Sequence, residues 1–314
     1  MKEMIKEIIR EEMYRSQEKT YYFMAGLPRA GSTMLSSILN QNPQIYSGPS
    51  SPVLNTMVTL EESLANDEFF KAYPKPEQAG KIIANVIRHF YSDVENQVVV
   101  DKNRGWLNKL HYIEGYFGVK PKVLVPVRNM DEVLASFISM HRRNEMQTNG
   151  KINFIDEMLV KNNMPLTDEN RCAVLSNQGV VGSSYQSIRQ ALMQGHEKSM
   201  CFVEYNDLIN DPKETMKRVY EFLEMEYYEH DFNNLKNVNQ EKDAEIYGFK
   251  DMHEVRPKLE KTSSDPKDIL PESIVDLCKG AEFWRNIDVD IAEEQHDTIA
   301  ESNDHINDEK LIGV

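Results

Sequence analysis

The sequence of 314 residues has few cysteines and a deficit of positive charge, and these two features exclude two classes of protein. The three cysteines, Cys172, Cys201 and Cys278, form no C-x-x-C pair. Such a pattern fits a reducing compartment better than a disulfide scaffold, and it provides no zinc site. The 36 Lys and Arg residues are outnumbered by 51 Asp and Glu residues, which gives a formal net charge of −15. A nucleic-acid-binding protein would show a basic face, so nucleic acid is not an expected partner.

Long apolar segments are also missing from the sequence. No window approaches the roughly twenty apolar residues of a membrane span, and residues 1–19 are too highly charged for a signal peptide. We therefore expect a cytoplasmic protein. The apolar positions within residues 1–19 recur at helical spacing, which predicts an amphipathic first helix. At the other end, residues 286–314 contain nine acidic residues and a single lysine, which predicts a weakly ordered acidic tail over residues 287–314.

Short apolar segments alternate with amphipathic ones along the rest of the chain. The apolar segments predict strands at residues 20–26, 44–46, 97–101, 122–128 and 199–205. Pro126 is unusual in such a strand, because proline has no N–H group for the ladder. Strands that alternate with helices indicate an α/β fold, a parallel sheet of about five strands with helices on both faces. We expect one such domain, over residues 20–286.

The strongest local signal lies between the first predicted strand and the first predicted helix, in the segment Gly26-Leu-Pro-Arg-Ala-Gly-Ser-Thr33. Two glycines bracket four residues and a Ser-Thr pair follows, which is the frame of a phosphate-cradling P-loop. The backbone N–H groups of such a loop and the positive end of the next helix attract an anion. A nucleotide triphosphatase needs lysine where this chain has Ser32, so the triphosphate of an Mg-ATP enzyme is not the expected anion. A loop that only turns the chain is the alternative.

Three segments resemble signatures of the sulfotransferases that use 3′-phosphoadenosine 5′-phosphosulfate (PAPS). The loop 26–33 resembles the family's 5′-phosphosulfate loop, and Val127-Arg-Asn129 with Ser136 resembles its 3′-phosphate signature. The run Val203-Glu-Tyr-Asn-Asp-Leu208 before Asp211-Pro212 resembles a strand–helix unit of the family. The resemblance extends from about residue 21 to residue 284. In finer details the chain is similar to an uncharacterised bacterial-type branch, distantly related to the tyrosylprotein and cytosolic sulfotransferases.

The resemblance implies in-line transfer of a sulfuryl group from PAPS to a hydroxyl or amine acceptor, without a metal. Arg29 and the loop amides are then expected to hold the 5′-phosphate, and Arg128 with Ser136 the 3′-phosphate. Two cations of a late loop, Arg256 and Lys258, are expected to close over it. The complete set of implied cofactor-binding residues is Arg29, Ala30, Gly31, Ser32, Thr33, Arg128, Ser136, Tyr205, Arg256 and Lys258.

The catalytic residues are harder to assign, because the chain departs from both related branches. Tyrosylprotein sulfotransferases have a glutamate about twenty residues after the loop arginine, where this chain has no carboxylate. Cytosolic enzymes have a histidine shortly after the third strand, where this chain has Asp101-Lys-Asn-Arg104. We predict that Asp101 is the general base, at the sheet edge beside the phosphosulfate, and that Lys102 stabilises the leaving oxygen. His253 is the rival base, and the alternative role for Asp101 is to pair with the adjacent cations and orient Lys102.

The sequence names no acceptor, and a small molecule, a lipid or a saccharide is expected. The helical stretches 52–91 and 150–195 are predicted to form its pocket. Two other functions stay open, a P-loop kinase of a small metabolite and a non-catalytic nucleotide-binding module. The histidines show no metal-ligand spacing, so we predict no metal. A homo-oligomer is compatible with the sequence.

Overall fold

The structure, a computed structural model, describes residues 19–145, 152–177, 179–237, 241–261 and 264–286. The predicted amphipathic helix of residues 1–19 lies outside these ranges except for Lys19, and so does the predicted acidic tail, 287–314. The chain forms two compact units, Met1–Lys279 and Gly280–Val314. The described part of the second unit contains a 3₁₀ turn, Phe283–Asn286. The predicted division into domains stays a prediction.

Five parallel strands form one sheet in the first unit. They are β1 (Thr20–Met24), β2 (Ile45–Ser50), β3 (Val98–Lys102), β4 (Val123–Val127) and β5 (Met200–Glu204). Their order across the sheet is β2-β3-β1-β4-β5, so β1 is the central strand. β2 is longer than the predicted 44–46 and continues through Pro49, which an edge strand tolerates. The predicted fold class, α/β with a parallel five-stranded sheet, is confirmed.

Helices connect the strands and surround the sheet. They are α1 (Ser32–Leu39), α2 (Val53–Asn66), α3 (Glu68–Ala72), α4 (Pro76–Phe90), α5 (Leu110–Phe117), α6 (Met130–Glu145), α7 (Phe154–Lys161), α8 (Asp168–Asn177), α9 (Val180–Met193), α10 (Tyr205–Asn210), α11 (Pro212–Phe222), α12 (Asp243–Ile246), α13 (Pro266–Ile269) and α14 (Glu272–Cys278). Two 3₁₀ turns, Arg104–Lys109 and Glu197–Ser199, precede α5 and β5. The start of α11 shows how sequence sets these boundaries: Asp211 caps the Glu214 N–H and Pro212 occupies the first turn.

Pro126 is accommodated in β4 because β1 ends beside it. β1 pairs with β4 only at Phe23 and Met24, so the proline nitrogen lies beyond the last ladder position. The chain passes this point with Gly26, where a Cβ atom would lie 2.3 Å from the Pro126 carbonyl oxygen and 2.7 Å from its nitrogen. The Leu27 N–H then donates to the Pro126 carbonyl at 2.9 Å. Glycine and proline together set the path by which β1 leaves the sheet.

The hydrophobic core fixes the end of β1 from both faces of the sheet. A cluster of fully buried side chains joins α1 and α11 to the sheet, with Leu35 and Ile38 packed near Val100. The ring of Phe23 lies 4.4 Å from the ring of Trp106, centroid to centroid. The loop that follows β1 therefore starts from a rigid position.

Candidate active site

The carboxyl ends of four strands open into one cavity of about 660 Å³. Residues that follow β1, β3, β4 and β5 line it, together with residues of the late segment 250–260. This is the edge at which open parallel sheets bind ligands. Its cationic lining residues are Arg29, Arg104, Arg128, Arg142, Arg143, Lys250, Arg256 and Lys258. Its acidic lining residues are Glu132, Asp251, Glu254 and Glu260. Because cations outnumber carboxylates here, in a chain of charge −15, the cavity suits a polyanion.

The loop after β1 has the backbone geometry of an anion cradle. Arg29 and Gly31 have φ angles of 60° and 84°, in the left-handed region. A Cβ atom at Gly31 would lie 3.0 Å from the Tyr205 ring and 3.2 Å from Met34, and the positive φ angle also favours glycine. Gly31 also caps α1 without a side-chain hydrogen bond, which leaves the first N–H groups of the helix to an anion. The N–H groups and the helix terminus thus face the same ligand position.

Arg29 connects this loop to two other elements of the cavity. Its Nε donates to the Ser136 hydroxyl at 3.2 Å, and its Nη1 donates to the Met252 carbonyl. Burial, with repulsion from nearby Arg128 and Arg143, lowers the pKa of the Arg29 guanidinium to about 10. The side chain is still cationic at neutral pH, and it holds the loop, α6 and the late segment together.

Arg128 is 4% exposed, and one of its donors has no partner among the described residues. Its Nε lies 3.2 Å from the Glu132 carboxylate, and its Nη1 donates to the Arg29 carbonyl at 3.2 Å. The guanidinium carbon lies 4.0 Å from the centroid of the Tyr205 ring. Its Nη2 is buried and bonds to none of the described residues. Burying an unpaired donor of a charged group costs free energy. A phosphate oxygen in the cavity that accepted a hydrogen bond from Nη2 would remove this cost.

Most of the predicted cofactor-binding residues line this one cavity. Ala30 differs, because its side chain is buried, and Arg256 and Lys258 are exposed at the mouth. The predicted residues that the cavity brings together are Arg29, Gly31, Ser32, Thr33, Arg128, Ser136, Tyr205, His253, Arg256 and Lys258. Their individual roles stay predictions.

Asp101 lies in the protein interior, not at the open edge where we expected it. Its side chain is 0% exposed. Its carboxylate accepts hydrogen bonds from Ser51, from Tyr91 at 2.7 Å and from Trp106 Nε1 at 2.6 Å. Burial raises the pKa of Asp101, and the three hydrogen bonds oppose the rise. Within the described ranges Asp101 pairs with neutral donors and with neither Lys102 nor Arg104, so the alternative pairing with the adjacent cations is also not observed.

Lys102 is buried beside the loop but outside the main cavity. It borders a small cavity of about 20 Å³ that Thr33, Gly48 and Glu241 also line. Burial lowers the pKa of Lys102, while the Glu241 carboxylate opposes this shift. The ammonium group is therefore close to the start of α1, as its predicted role requires.

His253 is held by two carboxylates that the sequence analysis did not identify. Its Nδ1 lies 2.6 Å from Asp243 Oδ1 and 3.4 Å from Glu241 Oε2. Among the described residues, Glu241, Asp243 and His253 are the one group of three or more His, Cys, Asp or Glu side chains that could hold a metal ion. Their ligand atoms all lie within 4.8 Å of one another. No motif marks Asp243 or Glu241 in the sequence, since Asp243 begins a short helix and Glu241 lies two residues before it. The prediction that the protein uses no metal stays a prediction.

Among the described residues, no helix is both long enough and apolar enough to cross a bilayer.

The sheet, the glycine-bounded loop at the end of its central strand and the cationic cavity define an α/β protein of the P-loop type with a cavity that suits a polyanion. A family model described as "Sulfotransferase domain" matches residues 19–268, and the chain belongs to this family. It is therefore an enzyme of sulfuryl transfer, which confirms the predicted class. The curated proteins searched contain no match to the chain.

Several solved structures are similar to the chain at low sequence identity. The mouse sulfotransferase SULT7A1 complexed with PAP is 11% identical, with a TM-score of 0.50, covering 91% of this chain and 90% of that one. The sulfotransferase domain of the Synechococcus PCC 7002 olefin synthase is 17% identical, with a TM-score of 0.47, covering 83% and 94%. A retinol dehydratase in complex with retinol and PAP is 13% identical, with a TM-score of 0.43, covering 95% and 84%.

Proposed function

We propose that the protein transfers the sulfuryl group of PAPS to a hydroxyl or amine group of a small-molecule, lipid or saccharide acceptor. The observation that carries the proposal is the single cavity that joins the loop after β1 to Arg128, Ser136 and the late cations. The mouse relative binds PAP, adenosine 3′,5′-bisphosphate, which is what PAPS becomes when it loses its sulfuryl group. A kinase is not favoured, because Ser32 occupies the lysine position and the chain belongs to the sulfotransferase family.

Two parts of the cavity fit the two phosphates of the donor. The left-handed loop and the uncapped start of α1 supply N–H groups to the 5′-phosphate, together with Arg29. The unpaired Nη2 of Arg128 and the Ser136 hydroxyl serve the 3′-phosphate, and Arg256 and Lys258 add charge at the mouth. Glu132 neutralises part of the Arg128 charge, so the late cations are needed for a doubly charged phosphate.

The reaction requires a base for the acceptor and a cation for the leaving oxygen. As the acceptor oxygen bonds to sulfur, the bond from sulfur to the 5′-phosphate oxygen breaks, and its electron pair leaves with the bisphosphate. The acceptor proton must pass to a base, and we assign this role to His253, since three neutral donors enclose Asp101. Lys102, near Thr33, is proposed to stabilise the bridging oxygen as charge develops.

The proposal is tested by comparing three nucleotides in thermal unfolding and calorimetric titration. Adenosine 3′,5′-bisphosphate should raise the melting temperature by several degrees, because a ligand at 100 times its Kd adds about 2.7 kcal/mol to stability. AMP (the 5′-monophosphate) and ATP with magnesium should have much smaller effects. Equal binding of the bisphosphate and AMP, or stronger binding of magnesium ATP, would contradict the proposal.

The acceptor is to be identified by turnover. The protein is incubated with PAPS and a panel of phenols, sterols, alkyl alcohols, amines and sugars, and released bisphosphate and sulfated product are measured by mass spectrometry. A cytoplasmic location is also proposed, from the cysteine pattern of the sequence. A homo-oligomer stays open.

A further inference from the structure

Both oxygens of the Asp243 carboxylate bind the same residue. The His253 backbone N–H donates to Oδ2 at 2.8 Å, and the His253 ring Nδ1 lies 2.6 Å from Oδ1. Asp243 is 7% exposed, so solvent barely competes for these bonds. Two bonds from one carboxylate fix both the position of the histidine backbone and the rotation of its ring.

This arrangement sets which ring nitrogen carries the proton. A carboxylate at hydrogen-bond distance keeps the proton of a neutral imidazole on Nδ1, which leaves the lone pair on Nε2. Nε2 has no hydrogen-bond partner within the described residues, and the His253 ring lines the cavity that also contains the loop after β1. The free nitrogen is therefore available to a molecule in that cavity.

The charged groups around the ring include two carboxylates and two cations. Glu241 Oε2 lies 3.4 Å from Nδ1, and the Tyr247 ring stands edge-on at 5.8 Å between centroids. Arg104 lines the same cavity, and the ammonium group of Lys102 interacts electrostatically with Glu241 and Asp243. Both carboxylates lie on the Nδ1 side of the ring, opposite the nitrogen that would accept the proton.

We propose that Asp243 positions His253, and that Nε2 of His253 takes the proton from the acceptor during sulfuryl transfer. The inference rests on the proposed function. In the step, the acceptor oxygen bonds to sulfur while the bond from sulfur to the 5′-phosphate oxygen breaks and its electron pair leaves with the bisphosphate. The acceptor O–H bond breaks at the same time, and the proton moves to Nε2. The Nδ1 proton stays in its hydrogen bond to Asp243, so the pair changes from a charge of −1 to neutral. The proton then passes to water after the product leaves.

The first test reads the tautomer without any ligand. The full chain is labelled with ¹⁵N-histidine, and the His253 signals are assigned by their loss in His253→Gln. We expect wild type to show a protonated Nδ1 and an unprotonated Nε2, and Asp243→Asn to shift the proton towards Nε2. A protonated Nε2 in neutral wild-type imidazole, or an unchanged tautomer in Asp243→Asn, would overturn the inference. Because wild type alone can overturn it, the test does not depend on the variant folding.

The second test separates positioning from binding and from folding. In PAPS turnover with an acceptor from the panel, Asp243→Asn should lower kcat by about 10²-fold or more, with bisphosphate affinity retained. Asp243→Glu, which keeps the charge, should recover part of the rate. Glu245→Gln is the matched control, because its carboxylate belongs to the same short helix but is exposed and pairs with Lys242, and it should turn over as wild type does.

Three results would contradict this assignment. They are wild-type turnover in Asp243→Asn, loss of bisphosphate binding along with turnover, and inactivation by a chelator with recovery on added Zn²⁺, which would make the group a metal site. Failure of wild type to bind the bisphosphate or to consume PAPS would instead contradict the proposed function, and the tautomer measurement would still stand.

Discussion

Two arginines of the cavity bind neighbouring protein groups. Arg29 binds the Ser136 hydroxyl and the Met252 carbonyl, and its own carbonyl accepts from Arg128. We expect Arg29→Ala to weaken bisphosphate binding by about 10- to 100-fold, because a hydrogen bond to a charged group contributes about 1.5–3 kcal/mol. Calorimetric titration measures the change directly.

The control for this prediction is Arg218→Ala. Arg218 pairs with Asp207 at 3.4 Å on the surface, where both side chains are more than half exposed. Exposed ion pairs contribute little to stability, so Arg218→Ala should fold normally and bind the bisphosphate as wild type does. Wild-type affinity in Arg29→Ala would remove the loop from the donor site.

Asp101 is predicted to matter for stability more than for turnover. In Asp101→Asn the amide NH₂ would face a donor from Ser51, Tyr91 or Trp106, leaving a buried donor unpaired. We expect a loss of about 1–3 kcal/mol in unfolding free energy, measured by urea denaturation. The folded variant should bind the bisphosphate normally. A variant of wild-type stability that has lost only turnover would restore Asp101 as the base.

The exit of β1 tolerates no side chain at Gly26. Since a Cβ atom there would lie 2.3 Å from the Pro126 carbonyl oxygen, Gly26→Ala must push β1 away from β4. The expected cost is about 1–3 kcal/mol, as for other overpacked interiors, seen as a lower urea midpoint. Gly115→Ala in α5 is the matched control. A Cβ atom there meets no atom within 4 Å, and alanine in a helix gains about 0.5–1 kcal/mol. Equal stability of the two variants would contradict this account.

The strands and the loop after β1 could be predicted because their signals are local. Runs such as Val98-Val-Val100 are apolar at every position, as a buried parallel strand requires. Two glycines at a fixed spacing indicate the loop, and the second of them, Gly31, has a positive φ angle in the structure. Local patterns of this kind need no knowledge of the rest of the chain.

The environment of Asp101 and the partner of His253 could not be predicted from local patterns. Alternation along β3 sends Asp101 and Lys102 to opposite sides of the sheet, but the sequence does not say which side is open. The donors to Asp101 come from three separate parts of the chain, and only the tertiary fold brings them together. The nine residues between Asp243 and His253 likewise follow no regular period, so the contact of Asp243 with His253 depends on the path of an irregular segment.

The stability of the protein as a whole should depend on pH through one buried histidine. His230 is 6% exposed, lies among the rings of Tyr220, Tyr228 and Phe232, and pairs through neither nitrogen with any described residue. Burial lowers the pKa of His230 from its ordinary value of 6.5 to about 4. Between about pH 4 and pH 6.5, His230 therefore binds a proton in the unfolded chain but not in the folded protein. Stability is full above this window and falls as the pH drops through it, by about 1.4 kcal/mol for each pKa unit.

The contribution of His230 is isolated by comparing wild type with His230→Phe. Phenylalanine keeps an aromatic ring in the cluster and removes the titration. Urea denaturation from pH 7 to pH 4 should show a smaller loss of unfolding free energy in the variant, although carboxylates affect both proteins alike. Parallel pH profiles for the two proteins would show that His230 is not the cause.

The cations that line the cavity are embedded in a chain whose total charge is −15. At 0.1 M salt the Debye length is about 10 Å. Beyond that distance both the attraction of an anionic donor to the cavity cations and its repulsion by the net negative charge of the chain are largely screened. As salt is removed, the excess of negative charge repels the donor over a longer range, while attraction still acts only near the cavity. The rate of encounter should therefore increase with ionic strength at low salt, even as the equilibrium affinity decreases. Stopped-flow measurement of bisphosphate association over a range of salt concentrations checks this expectation, and a rate that falls steadily as salt is added would contradict it.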